Sequence, residues 1–262
     1  MSKTKKVAIG ITATLVLLAC FFIYYSHQLY EKSYASEYHY AVTIETDSIL
    51  HSVTLYLPPP ILEGTSKIGD ELIAGNVSKP DDWDCNVVKT EHGRMLEISA
   101  REIAPQSHPL PTPIEPGAEP QEPPDGNVSD MSPRTTVSTP EGISITVHAD
   151  HGINTKNPIG NEPLLSPKYN LTRSTCELPY PEGRTPPDCY EYQSRIYADY
   201  TAPPNAKFSI YIELEGRNSW WVYGWSGNEY KDNANVTLLG EKHGWHVASG
   251  KLIEGEGRYS WI

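Results

Sequence analysis

The chain opens with one long apolar run. Residues 7–25 are 19 positions without a charged side chain, and as a helix they would be about 28 Å long, close to the thickness of a bilayer's hydrocarbon core. Lys3, Lys5 and Lys6 precede the run and no acidic residue does, which favours a cytoplasmic N-terminus. We therefore predict cytoplasmic residues 1–6, a transmembrane helix at 7–25 in contact with membrane lipid, and an exported remainder at the cell membrane.

Two other readings of this run stay open. A cleaved signal peptide has a shorter apolar stretch, whereas here the run continues through Phe21, Phe22 and Ile23. Residues 17–20, Leu-Leu-Ala-Cys, are similar to a lipobox whose Cys20 would be acylated. Leu18 is uncommon at that position, and apolar rather than polar residues follow Cys20. All three readings place the rest of the chain outside the cytoplasm.

After a short polar stretch at 26–37, interpreted as a stalk, the pattern changes to alternation with period two. Residues 38–46 and 49–57 alternate and are rich in β-branched and aromatic side chains, so they are predicted to form a hairpin. Further strands are predicted at 95–103, 143–149, 190–200, 208–214, 219–225, 235–240 and 245–253. No soluble helix is predicted. The pattern indicates a mainly β fold, an antiparallel β-sandwich or a barrel-like sheet, over residues 38–262.

A proline-rich segment interrupts this domain. Ten of the 36 residues at 105–140 are proline and large apolar residues are rare there. Such a segment cannot bury enough surface to offset its ordering entropy. We predict a disordered or polyproline-like insertion, which would be a tolerated surface loop, a docking segment or a glycosylated spacer.

The charge of the chain limits its partners. The net charge is −12, and every acidic residue follows the apolar run. An exported part this acidic is not expected to bind nucleic acid. The excess acidity favours solubility at a cell surface, or else binding of cations or of a basic partner.

Three cysteines follow the apolar run: Cys85, Cys176 and Cys189. Export permits disulfides, and a bridge between Cys176 and Cys189 would close a proline-rich loop and stabilise the fold by roughly 3 kcal/mol. Cys85 would then be free or would link two chains. Pairings that include Cys85 stay open.

The best candidate for ligand binding is an aromatic run. On one strand, Trp221, Tyr223 and Trp225 would project from the same face. Three rings on an exposed face would suit a sugar or another protein. The alternative is that the row faces the core or packs on residues 159–165.

Catalytic signatures are weak. The pairs His148 with His151 and His243 with His246 would point to opposite faces of a strand, so neither pair is a ready metal chelate. We predict no catalytic residue, metal or cofactor, and lean away from an enzyme. An exported hydrolase with acidic catalytic residues remains a rival hypothesis, because such carboxylates need no local motif.

Four Asn-x-Ser/Thr sequences make glycosylation possible in an exported chain: Asn76, Asn127, Asn170 and Asn235. Asn76 and Asn127 fall in predicted loops, whereas Asn235 begins a predicted strand.

Residues 154–172 and 221–255, together with SVTLYLPPP at 52–60, resemble uncharacterised archaeal surface proteins with one N-terminal anchor. The resemblance implies an envelope location and an undivided outer domain, and it carries no activity or site. We therefore predict a membrane-anchored surface domain that binds an envelope glycan or surface protein, or has a structural role there. A carbohydrate-binding module using the aromatic face is the more specific alternative.

Overall fold

The computed structural model describes residues 3–75, 77–109, 136–176 and 187–260. It is mainly β, with 58% of the described residues in strands, and its centre is a curled antiparallel sheet in the form of a half-barrel. One apolar helix precedes the sheet. The fold class predicted from the alternating pattern is confirmed.

Helix α1 covers Lys3–Ser33 and contains the predicted transmembrane residues. Its portion Ile9–Ser33 is long and apolar enough to cross a membrane, with a mean hydropathy of 2.0, and only 6% of its most apolar window is buried. The helix does not stop at Tyr25. The stretch 26–37, expected to be a stalk, consists of the last turns of α1 and the first residues of the sheet.

The strands and the second helix follow in chain order. They are β1 Ala35–Thr46, β2 Leu50–Leu57, β3 Pro60–Ile61, α2 Lys67–Ile73, β4 Trp83–Thr90, β5 Gly93–Ile103, β6 Gln106–Pro109, β7 Thr136–Thr139, β8 Glu141–His148, β9 Leu164–Leu165, β10 Tyr169–Ser174, β11 Asp188–Thr201, β12 Lys207–Trp221, β13 Trp225–Leu239 and β14 Lys242–Gly257. The large sheet has ten strands in the order β4-β5-β2-β11-β14-β13-β12-β1-β8, with β10 also paired to β11.

The predicted hairpin between the first two strands is wrong. Strand β1 pairs with β12 and β8, whereas β2 pairs with β5 and β11. Only residues 47–49 link β1 to β2, although four strands lie between them in the sheet. A link that short spans at most about 14 Å, so the sheet must curl until β1 and β2 face each other across the core.

The alternating residues predicted to point inward do so. On β12 the side chains of Phe208, Ile210, Ile212 and Leu214 are all buried. The open side of the curled sheet is covered by the loop between β8 and β10 and by the short helix α2, which the sequence pattern did not predict. Ser66 caps α2 by accepting a hydrogen bond from the backbone of Gly69 at 3.0 Å.

A buried carboxylate fastens the covering loop to the sheet. Asp232 on β13 is fully buried, and its oxygens lie 2.6 and 2.7 Å from the Lys168 ammonium. It also accepts hydrogen bonds from the Tyr192 hydroxyl and the backbone N–H of Leu165, both at 2.7 Å. Four donor contacts satisfy this charge, which makes its burial tolerable.

The proline-rich insertion begins and ends in paired strands. Strands β6 and β7 form an antiparallel ribbon in which Gln106 lies opposite Thr139. The two ends of the segment predicted to be disordered are therefore ordered. The middle of it, 110–135, lies outside the described residues.

Cys176 and Cys189 form a disulfide with 5.4 Å between their Cα atoms. Cys20 and Cys85 are free thiols, and Cys85 packs partly buried against the core. The disulfide is therefore the one that the sequence analysis favoured because it closes a short loop.

Candidate ligand-binding cleft and aromatic hairpin

The predicted aromatic strand at 219–225 is instead a hairpin. Strand β12 ends at Trp221 and β13 begins at Trp225, directly opposite it. Residues 222–224 form the turn, in which Tyr223 has a positive φ of 56°. We call the five residues 221–225 the hairpin tip.

The three candidate rings are exposed in this structure. The exposed fractions are 38% for Trp221, 54% for Tyr223 and 72% for Trp225, whereas the neighbouring Trp220 is 2% exposed. The expectation that the row faces the core is wrong. The flat row of three rings on one strand is wrong as well, because two rings flank a turn and the third lies on it.

The hairpin tip lies against helix α1. The ring of Tyr223 stacks on Phe22, with centroids 5.4 Å apart and planes 6° from parallel. The Ser26 hydroxyl lies 3.3 Å from the Tyr223 hydroxyl, and the backbone N–H of Trp221 donates to Ser33 Oγ at 2.8 Å. The tip therefore points back along the helix towards its apolar part.

A cleft opens behind the hairpin tip, between α1 and the covering loop. Its volume is about 420 Å³, within the range of small-ligand sites. Its walls carry four aromatic rings from α1, the residue that follows it, β12 and the C-terminal segment: Tyr30, Tyr34, Trp220 and Tyr259. Tyr34 stacks on Trp220 with planes 12° from parallel, and Tyr30 meets the same indole edge-on.

The floor of the cleft is a satisfied network of amides. Asn218 binds both backbone groups of Ile153, at 2.9 and 2.8 Å, and donates to the Asn228 side-chain oxygen at 2.8 Å. The same oxygen accepts from Thr155 Oγ1 at 2.7 Å. Since these bonds fix the amides in place, the floor is rigid before any ligand arrives.

The rim of the cleft carries the groups that could contact a ligand. Exposed Lys156 and Asn157 both line it, and the Lys156 ammonium lies 4.2 Å from the centroid of the Tyr259 ring. Burial raises the pKa of the Tyr259 phenol, and its hydroxyl lies 2.9 Å from Thr155 Oγ1, which ties this ring to the amide floor. Within the part of the chain that the structure describes, no carboxylate lines the cleft.

The first histidine pair borders a second, smaller cavity of about 190 Å³. The His151 Nδ1 atom lies 2.8 Å from Asp150, and its Nε2 atom lies 3.4 Å from the buried Glu162, which also accepts from the Tyr38 hydroxyl. These hydrogen bonds raise the pKa of His151. Because both ring nitrogens are engaged, the imidazole has no free nitrogen to act as a base, and the cluster holds the loop in place.

The two histidines of the second pair have different surroundings. His243 is exposed and bonds to Asp199 and Glu241 at 2.6 and 2.7 Å. His246 is half-buried, and desolvation lowers its pKa. Over the described ranges, no three His, Cys, Asp or Glu side chains are grouped to hold a metal ion.

A second aromatic group lies on the outer face of the sheet, and sequence reasoning missed it. Tyr56 and Tyr197 stack at 4.8 Å, and Trp245 meets Tyr197 at 5.3 Å and His92 at 4.5 Å. We call these four residues the outer-face cluster. Its members come from strands β2, β11 and β14 and the β4–β5 turn, so no local sequence signal joins them.

Two of the four glycosylation candidates, Asn76 and Asn127, lie outside the described residues. Asn170 and Asn235 are exposed, and Asn170 donates to Gln193 at 3.3 Å. Their side chains are accessible, and occupancy stays a prediction.

Comparisons of the chain with protein-family models, with curated proteins and with solved structures found no match. Fold and site together define an antiparallel β protein with an N-terminal apolar helix and a cleft of aromatic and amide groups beside that helix.

Proposed function

We propose that this protein is a membrane-anchored cell-surface domain that binds an envelope glycan in the cleft beside its anchor. The N-terminus would lie in the cytoplasm and the β-domain on the outer side of the cell membrane. The proposal keeps the predicted kind of partner but moves the binding site from the hairpin tip to the cleft.

The observation that carries the anchor is the division of α1 into two parts. Side chains from Ile9 to Tyr25 are exposed, uncharged and mostly apolar, whereas Ser26 is buried against the domain. Exposing so many large apolar groups to water is unfavourable at roughly 25 cal/mol per Å². A bilayer around the first part removes that cost, and the domain begins where the second part starts.

The chemistry of the cleft supports a sugar as the ligand. Sugar rings present apolar C–H faces that stack on aromatic rings, and hydroxyls that pair with amides and ammonium groups. The cleft offers rings on its walls, a fixed amide floor and Lys156 with Asn157 at its rim. The lack of a lining carboxylate among described residues favours binding over cleavage, since glycosidases place two carboxylates beside the scissile bond.

The anchor is tested with a C-terminal tag on the full chain. If the domain is outside, protease added to intact cells removes the tag, and the protein stays with membranes after a carbonate wash. A tag that is protected until lysis would contradict the proposed topology.

The ligand is tested by binding of the detergent-solubilised full chain to immobilised envelope polysaccharides. We expect Lys156→Ala to weaken retention several-fold, because Lys156 lies at the cleft rim. Lys67→Ala is the matched control, since Lys67 is also exposed but lines the smaller cavity. Equal retention of both variants and wild type, or no retention at all, would contradict glycan binding in the cleft.

A further inference from the structure

We propose that the hairpin tip inserts into the outer interface of the lipid bilayer beside the anchor, as a second contact between domain and membrane. The proposal rests on the anchor in the proposed function. It concerns a different surface from the glycan cleft. Its partner is the bilayer itself, at the level where headgroups meet acyl chains.

The position of the tip relative to α1 carries the argument. Tyr223 stacks on Phe22, and Phe22 lies three residues inside the outer end of the apolar run. At 1.5 Å per residue, that is about 5 Å into the apolar part of the helix. A bilayer that surrounds the helix to Tyr25 therefore reaches the Tyr223 ring.

The chemistry of the tip suits that depth. Tryptophan and tyrosine are enriched at membrane interfaces because an apolar ring carries one polar group. Trp225 is the most exposed of the three rings, and Phe21 and Phe22 on α1, the second of which stacks on Tyr223, are exposed as well. Left in water, the tip would add to an already large apolar patch.

The attraction is apolar rather than electrostatic. Residues 219–227, which include the tip and its flanks, contain no charged side chain, and the whole chain has a net charge of −12. Anionic headgroups would therefore not attract the domain. Insertion should occur in zwitterionic lipid and should resist high salt, which screens only charge.

The tryptophans of the chain make the test direct. None lies within α1, and the six are Trp83, Trp220, Trp221, Trp225, Trp245 and Trp261. Trp83 and Trp220 are buried in the domain, and Trp245 belongs to the outer-face cluster. Trp261 lies outside the described residues, so the experiment uses a chain in which it is replaced by phenylalanine. In that background, emission that lipid can quench should come chiefly from Trp221 and Trp225.

The experiment reconstitutes the full chain in phosphatidylcholine vesicles with and without brominated acyl chains. We expect brominated lipid to quench part of the tryptophan emission, and Trp225→Phe to remove the larger part of that quenchable signal. Trp245→Phe is the matched control and should leave the quenchable signal unchanged. High salt should alter neither result.

The failures are distinguishable. If the chain does not float with the vesicles, the anchor is wrong and this proposal falls with it. If it floats but the Trp225 emission is quenched by aqueous iodide and not by brominated lipid, the anchor stands and tip insertion is wrong. If neither quencher reaches Trp225, another protein surface covers the tip, which also overturns the proposal.

Discussion

Side chains are buried in the interior beneath the covering loop, whereas at the hairpin tip they are exposed. Beneath the loop, Asp232 is fully buried and contacts donors from Lys168, Tyr192 and Leu165. At the tip, Trp225 projects with 72% of its surface exposed. The comparison teaches that the packed interior, which stabilises the fold, and the projecting tip, where we propose membrane contact, are separate parts of the molecule. Substitutions in one part should therefore leave the other function intact.

The largest effect is expected beneath the loop. Asp232→Asn removes the charge that compensates Lys168, whose side chain is only 13% exposed. An uncompensated buried ammonium costs on the order of 3–5 kcal/mol, so the free energy of unfolding in urea should fall by that amount. Asp84→Asn, at an exposed position, is the control. A loss of less than about 1 kcal/mol for Asp232→Asn would show that the loop is held by something else.

A smaller effect is expected at Glu254, through pH. Burial and the charge of Asp188 raise its pKa to about 7 from 4.5. A raised pKa means that the folded state binds the proton more tightly, so this stability is fully present below 4.5 and lost as pH rises through about 7. The protein should therefore unfold at a higher temperature near pH 5 than near pH 8.

Glu254→Gln should remove much of that slope and stabilise the protein near pH 8 by on the order of 2 kcal/mol. The exposed Glu191→Gln is the control. Some slope should remain, because burial and the neighbouring Glu229 also raise the pKa of Glu215 to about 7. Thermal unfolding between pH 5 and pH 8 measures this pH dependence for wild type and both variants. An unchanged pH dependence in Glu254→Gln would show that Glu254 is not its source.

The smallest effect on stability is expected at the tip. Trp225→Ser should change the free energy of unfolding by no more than about 0.5 kcal/mol, since the side chain has little to lose by truncation. The adjacent Trp220 is buried, so Trp220→Ser should cost on the order of 3 kcal/mol. The free energy of unfolding in urea measures both effects. Equal decreases for the two variants would contradict the distinction between a packed interior and a projecting tip.

Local pattern predicted most of the long strands but not their partners, and it missed β4 and β10. Alternation along 208–214 predicted the inward row of β12 correctly, because period two follows from the pleat itself. The pairing of β1 with β12 and β8 depends on closure of the whole sheet, so it left no trace near Thr46 or Leu50. The short connection at 47–49 looked like a hairpin turn for that reason.

The sites were harder to predict than the fold. The turn at 222–224 places Tyr223 at a positive φ, a conformation for which tyrosine gives no signal and Gly224 gave only a weak one. The cleft joins Tyr30, Lys156, Trp220 and Tyr259 from four distant parts of the chain. Composition could reveal that aromatic residues were available, but only the curled sheet decides which of them meet.

Helix α1 continues without a break from its apolar part into the β-domain, and this limits how the two can move relative to each other. Eight helical residues follow Tyr25, a rise of about 12 Å, and Ser33 is bonded directly to β12. There is no flexible tether in this connection, so the domain cannot swivel freely about its attachment point. In the proposed anchored state, a tilt of the apolar part of α1 would therefore change the orientation of the cleft relative to the membrane. A large ligand of the proposed cleft would then have to approach from the side, close to the lipid surface.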